Sequence, residues 1–287
     1  DIDQDEDGMI WIATLNQGLD CFDPKTRKFT HFLHNPKDSS SLSDYGVSVI
    51  EFDKNGNLWV GTEFGGISVM KKGEWGKFQN FVRSDNNNSA LTSNQICSIF
   101  EDSKGRIWVG TLGGGINVYD EDVEKFYKLT VKDGLASNLV YAFLEDKEGN
   151  IWISTNNGLS KLKYSENNIQ YPFFQNYDLN DGLLSNEFSP QSAMMARSGL
   201  LYFGGINGIN YFMPESLKIN TNVPPVVLTD FRIFNKSVAV DEPGSPLKVS
   251  IIKSKIIEID YSQSVITFEF AALDYVMPSK NRYQYKL

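Results

Sequence analysis

The sequence predicts an all-β fold: β-propeller blades followed by a partial β-sandwich. Three observations predict it. One motif recurs every 44 to 50 residues through the first two thirds of the chain. The composition, with 23 Gly and 13% aromatic residues, suits short strands and tight turns better than helices. The period then stops after Pro214 and gives way to alternating runs. These set the expected domains at 1–220, the propeller repeats, and 221–287, the start of the sandwich.

The repeat is read from its anchors. Trp11, Trp59, Trp108 and Trp152 are each preceded six residues earlier by Asp5, Asp53, Asp102 and Asp146, and three residues earlier by Gly8, Gly56, Gly105 and Gly149. Thr14, Thr62, Thr111 and Thr155 follow three residues after each Trp. A Gly-Leu or Gly-Ile pair comes next, at Gly18, Gly66, Gly115 and Gly158. A fifth copy keeps Gly199 and Gly208 but has Ala196 for the Asp and Tyr202 for the Trp. Upstream stands a second anchor: Leu42-Ser43-Asp44-Tyr45, Leu91-Thr92-Ser93-Asn94, Leu135-Ala136-Ser137-Asn138 and Leu183-Leu184-Ser185-Asn186.

Each unit reads as four strands. The first follows the upstream anchor, as in Val47–Ile50 and Ile96–Ile99. An Asp-x-x-Gly turn comes next, the Asp side chain bonding backbone amides and the Gly taking the positive-φ position. The second strand holds the Ile-Trp-Val core, the third follows the glycine turn (Gly115–Tyr119), and the fourth carries aromatics (Phe29–Phe32, Phe78–Phe81). One motif per unit of this length indicates propeller blades. A single unit cannot bury both faces, so the Trp side chains are expected between neighbouring blades.

The pattern D-x-x-G-x-[ILM]-W-[IV]-[GSA]-T, followed by G-[LI], resembles the two-component-regulator propeller repeat over roughly residues 1–215. The resemblance implies a propeller of seven blades, so five aromatic anchors represent an incomplete part of a larger propeller. It also implies the periplasmic sensor region of a hybrid two-component system of Bacteroidetes. The parent would be a sensor histidine kinase of the inner membrane, a homodimer anchored outside this segment, detecting an oligosaccharide.

After the repeats, Val223-Pro224-Pro225-Val226 reads as a stiff extended linker. Strands are expected at Val226–Ile233, Ile256–Tyr261 and Val265–Phe270, where alternation is clear. Tyr275, Tyr283 and Tyr285 resemble the three tyrosines of the immunoglobulin-like β-sandwich that follows such propellers in the same sensors, so the resemblance implies that the partial β-sandwich at 221–287 is immunoglobulin-like. Because the first repeat lacks most of its first strand and the last strand stops short, the sequence reads as cut at both ends.

Charge narrows the partners. The net charge is −9, and the first 220 residues carry 19 basic against 29 acidic groups. Such a surface repels phosphate backbones, so nucleic acid is not an expected partner. No run of about 18 apolar residues spans a membrane. The two cysteines, Cys21 and Cys97, lie in apolar strands of different repeats and read as buried free thiols.

Candidate chemistry is sparse, and no catalytic residue, cofactor or metal is expected. Asp3-Gln4-Asp5-Glu6-Asp7-Gly8 matches half of a calcium loop, but Thr14 stands where the bidentate Glu belongs. The Asp box of sialidases places Asp two residues before Gly, not three. The acids Glu51, Glu101 and Glu145 recur with the repeat, which suggests a solvated acidic rim rather than the facing carboxylates of a glycosidase. His31 and His34 fit no triad or metal spacing.

The opposite rim gathers amides and aromatics suited to a neutral polar ligand. Its candidate ligand-binding residues are Glu63, Phe64, Asn156, Asn157, Asn207, Tyr45, Asn94 and Asn138. Of these, Asn94 and Asn138 repeat and are expected to serve structure as well. Two other readings stand beside the sensor: a propeller glycosidase or lyase, and a protein-binding structural propeller.

Overall fold

The computed structural model describes residues 1–87, 89–121, 125–163, 172–217 and 224–273. The chain divides into two compact units, Asp1–Leu217 and Lys218–Leu287.

The first unit consists of five antiparallel sheets in chain order. The first blade holds β1 (Ile2–Gln4), β2 (Ile10–Thr14), β3 (Gly18–Asp23) and β4 (Lys28–Phe32). The second holds β5 (Val47–Phe52), β6 (Leu58–Thr62), β7 (Ile67–Met70) and β8 (Gln79–Phe81). The third holds β9 (Ile96–Glu101), β10 (Ile107–Thr111), β11 (Ile116–Asp120) and β12 (Lys125–Leu129). The fourth holds β13 (Val140–Glu145), β14 (Ile151–Thr155), β15 (Gly158–Lys163) and β16 (Phe173–Tyr177). The fifth has three strands, β17 (Phe188–Met195), β18 (Leu201–Gly205) and β19 (Gly208–Phe212). Every strand pairs with its sequence neighbour, so each blade is a meander.

Cores lie between sheets. Trp11 of the first blade packs with Val47, Ile50 and Val60 of the second. Trp59 packs with Ile96, Ile99 and Val109 of the third. Trp108 meets Val140, Phe143 and Ile153 of the fourth, and Trp152 meets Phe188 and Phe203 of the fifth. Each indole therefore faces the following blade, as expected of a residue that fills the space between stacked sheets.

The Asp that precedes each Trp does two jobs. In Asp5, Asp53, Asp102 and Asp146, Oδ1 accepts backbone amides two and four residues on. Oδ2 accepts the indole Nε1–H at 2.8–2.9 Å. One carboxylate thus closes the turn and fixes the ring, and the buried N–H is satisfied. The conserved spacing of six is what brings the two groups together across one turn.

The repeated Thr closes the next turn. Its hydroxyl donates to the carbonyl of Gly18, Gly66, Gly115 or Gly158 at 2.8–2.9 Å. These glycines have positive φ, and at each of them a Cβ would run into a carbonyl oxygen at the end of the fourth strand. No other residue satisfies both constraints.

Blades are also laced to one another. The amides of Gly18, Gly66, Gly115 and Gly158 donate to the carbonyls of Tyr45, Asn94, Asn138 and Asn186 in the next interblade loop. From the third strands, Ser68, Asn117, Ser160 and Asn210 accept the amides of Ser43, Thr92, Ala136 and Leu184. These four polar side chains are buried yet paired.

The fifth blade departs from the others. In β17 the register breaks between Phe188 and Ala193, with Gln191 at φ 53°. That bulge carries Gln191 Nε2 to the carbonyls of Ser48 (2.9 Å) and Cys97 (3.2 Å), on the inner strands of the second and third blades. These carbonyls are available because β5 and β9 are themselves bulged at those residues. Among the described residues no fourth strand joins this sheet, and a 3₁₀ turn follows at Pro214–Ser216.

The second unit contains a three-stranded sheet of order β21-β20-β22, from β20 (Val226–Ile233), β21 (Lys236–Ser237) and β22 (Ile266–Ala272). Its small core is Phe231, Leu247 and Ile251. The alternating run Ile256–Tyr261 forms no strand among the described residues: 256–260 have no regular structure, Tyr261 begins a turn, and Ile256 and Tyr261 are open to solvent. Alternation alone does not supply a partner strand, and β20 pairs instead with β21 and β22. Tyr275, Tyr283 and Tyr285 lie outside the described residues.

Candidate functional site

Two rims of the blades carry the candidate residues. The turns between first and second strands, and those between third and fourth, share one rim. The turns between second and third strands share the other with the interblade loops.

On the loop-bearing rim, the repeated asparagines are occupied. Asn94 Oδ1 accepts the amide of Arg83 (2.6 Å), Asn138 that of Val131 (2.9 Å) and Asn186 that of Leu179 (2.8 Å). Each ties the end of a fourth strand to the next blade, so the amide oxygen already holds one backbone donor. Tyr45 holds the equivalent position in the first such loop. Its ring is 51% exposed and meets His34 edge-on at 5.1 Å. Where Asn closes the loop, Tyr is released from it.

The neighbours of Tyr45 are held firmly. Asp44 Oδ2 accepts the amide of Phe64 (2.9 Å), and the amide of Glu63 donates to the carbonyl of Gly46 (2.9 Å). Phe64 is 65% exposed. The structure thus brings Tyr45, Glu63 and Phe64 together on adjoining turns. Asn157 and Asn207 each make one long side-chain bond, to Ala136 and Leu184 carbonyls at 3.3 Å. Asn156 turns its amide oxygen inward, where no donor meets it. These three belong to the fourth and fifth blades, apart from the Tyr45 group.

On the other rim the acids are not simply solvated. Asp53, Asp102 and Asp146 are buried in their turns. Glu101 accepts the amide of Lys54, and Glu145 accepts the amide and hydroxyl of Ser103, at 2.6–2.7 Å. Each glutamate clamps its inner strand to the preceding blade. Glu51 receives no such donor among the described residues. Burial, with Asp3 and Glu101 nearby, pushes its carboxyl up to about 7. The repeated acids therefore serve the scaffold, which the regular spacing had suggested without revealing the clamp.

Other candidates resolve locally. The Asp5 carboxylate is fully used by its turn and by Trp11. His31 pairs with Asp20 at 2.6 Å on adjacent strands, and His34 bonds the Leu42 carbonyl. Among the described residues no group of three or more His, Cys, Asp or Glu could hold a metal ion. No described helix is long and apolar enough to cross a membrane. Cys21 and Cys97 are buried and free; burial pushes both thiols up to about 11, with Asp5 and Asp23 adding to the effect at Cys21.

The comparisons with known proteins agree with this geometry. The two component regulator propeller family matches residues 41–64, 90–113 and 134–157, segments that each run from an interblade loop to the turn after the indole strand. Histidine kinase P4 of Formosa agariphila is 32% identical over 286 residues, 99% of this chain and 20% of that protein. The chain thus spans about a fifth of that curated relative.

Among solved structures, an extracellular domain assigned to a hybrid two component system of B. thetaiotaomicron matches with TM-score 0.62 and 19% identity. It covers 94% of this chain and 47% of its own. A second such domain from the same organism gives 0.51 and 22%, over 96% and 41%. Virginiamycin B lyase from Staphylococcus aureus gives 0.54 and 19%, over 77% and 69%. At these identities the solved structures speak for the fold alone. Residues 41–64, 90–113 and 134–157 thus match the two component regulator propeller repeat, and the clasped indoles and laced blades carry the same geometry through the first four blades.

Proposed function

We propose that this chain is the extracytoplasmic, periplasmic sensing region of a hybrid two-component histidine kinase, and that its ligand is an oligosaccharide. The parent protein would be anchored in the inner membrane and work as a homodimer, with 221–287 beginning the sandwich that relays the signal. Support for the kinase comes from the likeness to histidine kinase P4 along nearly all of this chain. Support for a ligand comes from one departure from the repeat: Tyr45 stands where Asn closes the other loops, and its exposed ring, edge-on to His34, stands on a turn adjoining that of Glu63 and Phe64.

Two exposed rings on turns fixed by backbone bonds offer a flat apolar surface at low entropic cost. Glu63 adds acceptors beside them. A sugar presents both an apolar face and hydroxyl groups, and so matches this combination. Calorimetric titration with purified oligosaccharides tests the reading. Tyr45→Ala and Phe64→Ala should each weaken the best ligand about tenfold, near 1.4 kcal/mol. Release of reducing sugar would favour the enzyme reading instead, and binding of a protein but no glycan would favour the structural one.

A further inference from the structure

The fifth tryptophan, Trp75, lies outside the repeat, on the turn between β7 and β8. It is 54% exposed, whereas the other four are at most 4% exposed. Its ring meets Trp11 and Phe32 edge-on, each at 5.4 Å. The turn is pinned by the amide of Gly76, which donates to Met70 Sδ at 3.2 Å. Trp75 forms one wall of an open cavity of about 190 Å³ between the first two blades, on the rim opposite Tyr45. Gln4, Asp7, Met70 and Lys72 complete the working surface.

We infer that this cavity is a second saccharide subsite, taking a single neutral pyranose ring against Trp75. This rests on the saccharide reading above but not on the Tyr45 rim. Charge selects the ligand. Asp5 and Asp53, which also line the cavity, are committed to turn amides and to the indoles of Trp11 and Trp59. Glu6 is paired with Lys72 at 2.6 Å. The lining still carries the carboxylates of Asp5, Glu6, Asp7 and Asp53 against Lys71 and Lys72, an acidic balance that turns away an anion and does not act against a neutral ring.

A neutral ring with one apolar face stacks on the indole, and its hydroxyls reach Asp7, Gln4 and Lys72. The volume lies below the roughly 300–1,000 Å³ of sites for drug-sized ligands, which limits the cavity to one ring of a longer chain. The remainder of that chain would lie along the rim.

Because Trp75 is the exposed indole among five, acrylamide quenching of intrinsic fluorescence reports on it. The 287-residue chain would be titrated with cellohexaose, laminarihexaose, xylohexaose, mannohexaose and galactohexaose, with calorimetry alongside. At least one sugar should lower the quenching constant about twofold and shift emission to the blue. Trp75→Ala should abolish that response and weaken binding about tenfold. Trp75→Phe, which keeps a ring against Trp11 and Phe32, should weaken it less, and the quenching response should survive Tyr45→Ala. Heat on mixing with quenching unchanged, or equal affinity in Trp75→Ala, would overturn the subsite and leave saccharide sensing standing. No heat with any of the five sugars would overturn both.

Discussion

The fourth and fifth blades solve the same packing problem by different means. In the fourth, Trp152 is fully buried, its indole is clasped by Asp146, and Lys161 Nζ sits 5.2 Å from the ring centroid. In the fifth, Tyr202 replaces the indole and stacks on Tyr211 at 5.9 Å, while Ala196 replaces the carboxylate. The two substitutions belong together. A buried indole N–H needs an acceptor, and a Tyr at this place, only partly buried, reaches water on its own. Asp and Trp are thus one device, present or absent as a pair. The fifth blade gains its hold elsewhere, through the β17 bulge and the reach of Gln191 to two other inner strands.

The largest test of this contrast removes both rings. Trp152→Ala strips a filler that Leu159, Phe188, Leu201 and Phe203 surround, and should cost about 3–5 kcal/mol. Tyr202→Ala should cost about 1–2 kcal/mol, since less of the ring is buried. Urea denaturation followed by tryptophan fluorescence and by circular dichroism measures both. Equal losses would mean that the Tyr is as much a filler as the Trp, and the contrast would fail.

Inner strands show a second version of the same difference. Glu101 and Glu145 clamp neighbouring blades, Met195 and Phe52 hold the matching places in the fifth and second, and Glu51, one residue earlier and opposite Trp59, has no donor among the described residues. A carboxyl raised to about 7 keeps its proton in the folded state while the unfolded chain loses it near the ordinary 4.5. Folding therefore loses stability as pH rises from about 4.5 to 7, and above that the full penalty applies, at most about 3 kcal/mol. Glu51→Gln should leave the melting temperature unchanged at pH 4 and raise it at pH 8. A gain at both values would assign the effect to packing rather than to ionisation.

Much of this architecture is legible in the sequence because the repeat fixes it. The Trp, Asp, Gly and Thr anchors stand at constant offsets, and each offset corresponds to one turn. The Asp-to-indole bond could have been read from the spacing of six, but only by asking where the buried N–H finds its acceptor. Ser68, Asn117, Ser160 and Asn210 escape a pattern search because two residue types share one task. Trp75 escapes because it does not recur, and Gln191 because its partners lie more than 90 residues away on other blades. At Ile256–Tyr261 the error runs the other way: alternation reports a tendency toward extended chain, while a strand also needs an edge to pair with.

The finest test asks whether the missing device can be restored. Ala196→Asp alone places a carboxylate in the β17–β18 turn, where it can accept the amides of Ser198 and Leu200 but meets no indole. Tyr202→Trp alone sets an indole on β18 with no acceptor. Each change by itself should shift stability by no more than about 0.5 kcal/mol. Together they re-create the geometry of Asp146 and Trp152, and the double variant should exceed the sum of the two by about 1 kcal/mol, the ordinary value of one net hydrogen bond to a charged acceptor in a partly exposed turn. Additive behaviour would indicate that the outer face of the fifth blade leaves the indole too wet for the bond to count. The clasp would then depend on the neighbouring blade that covers it in the first four repeats, and not on the spacing alone.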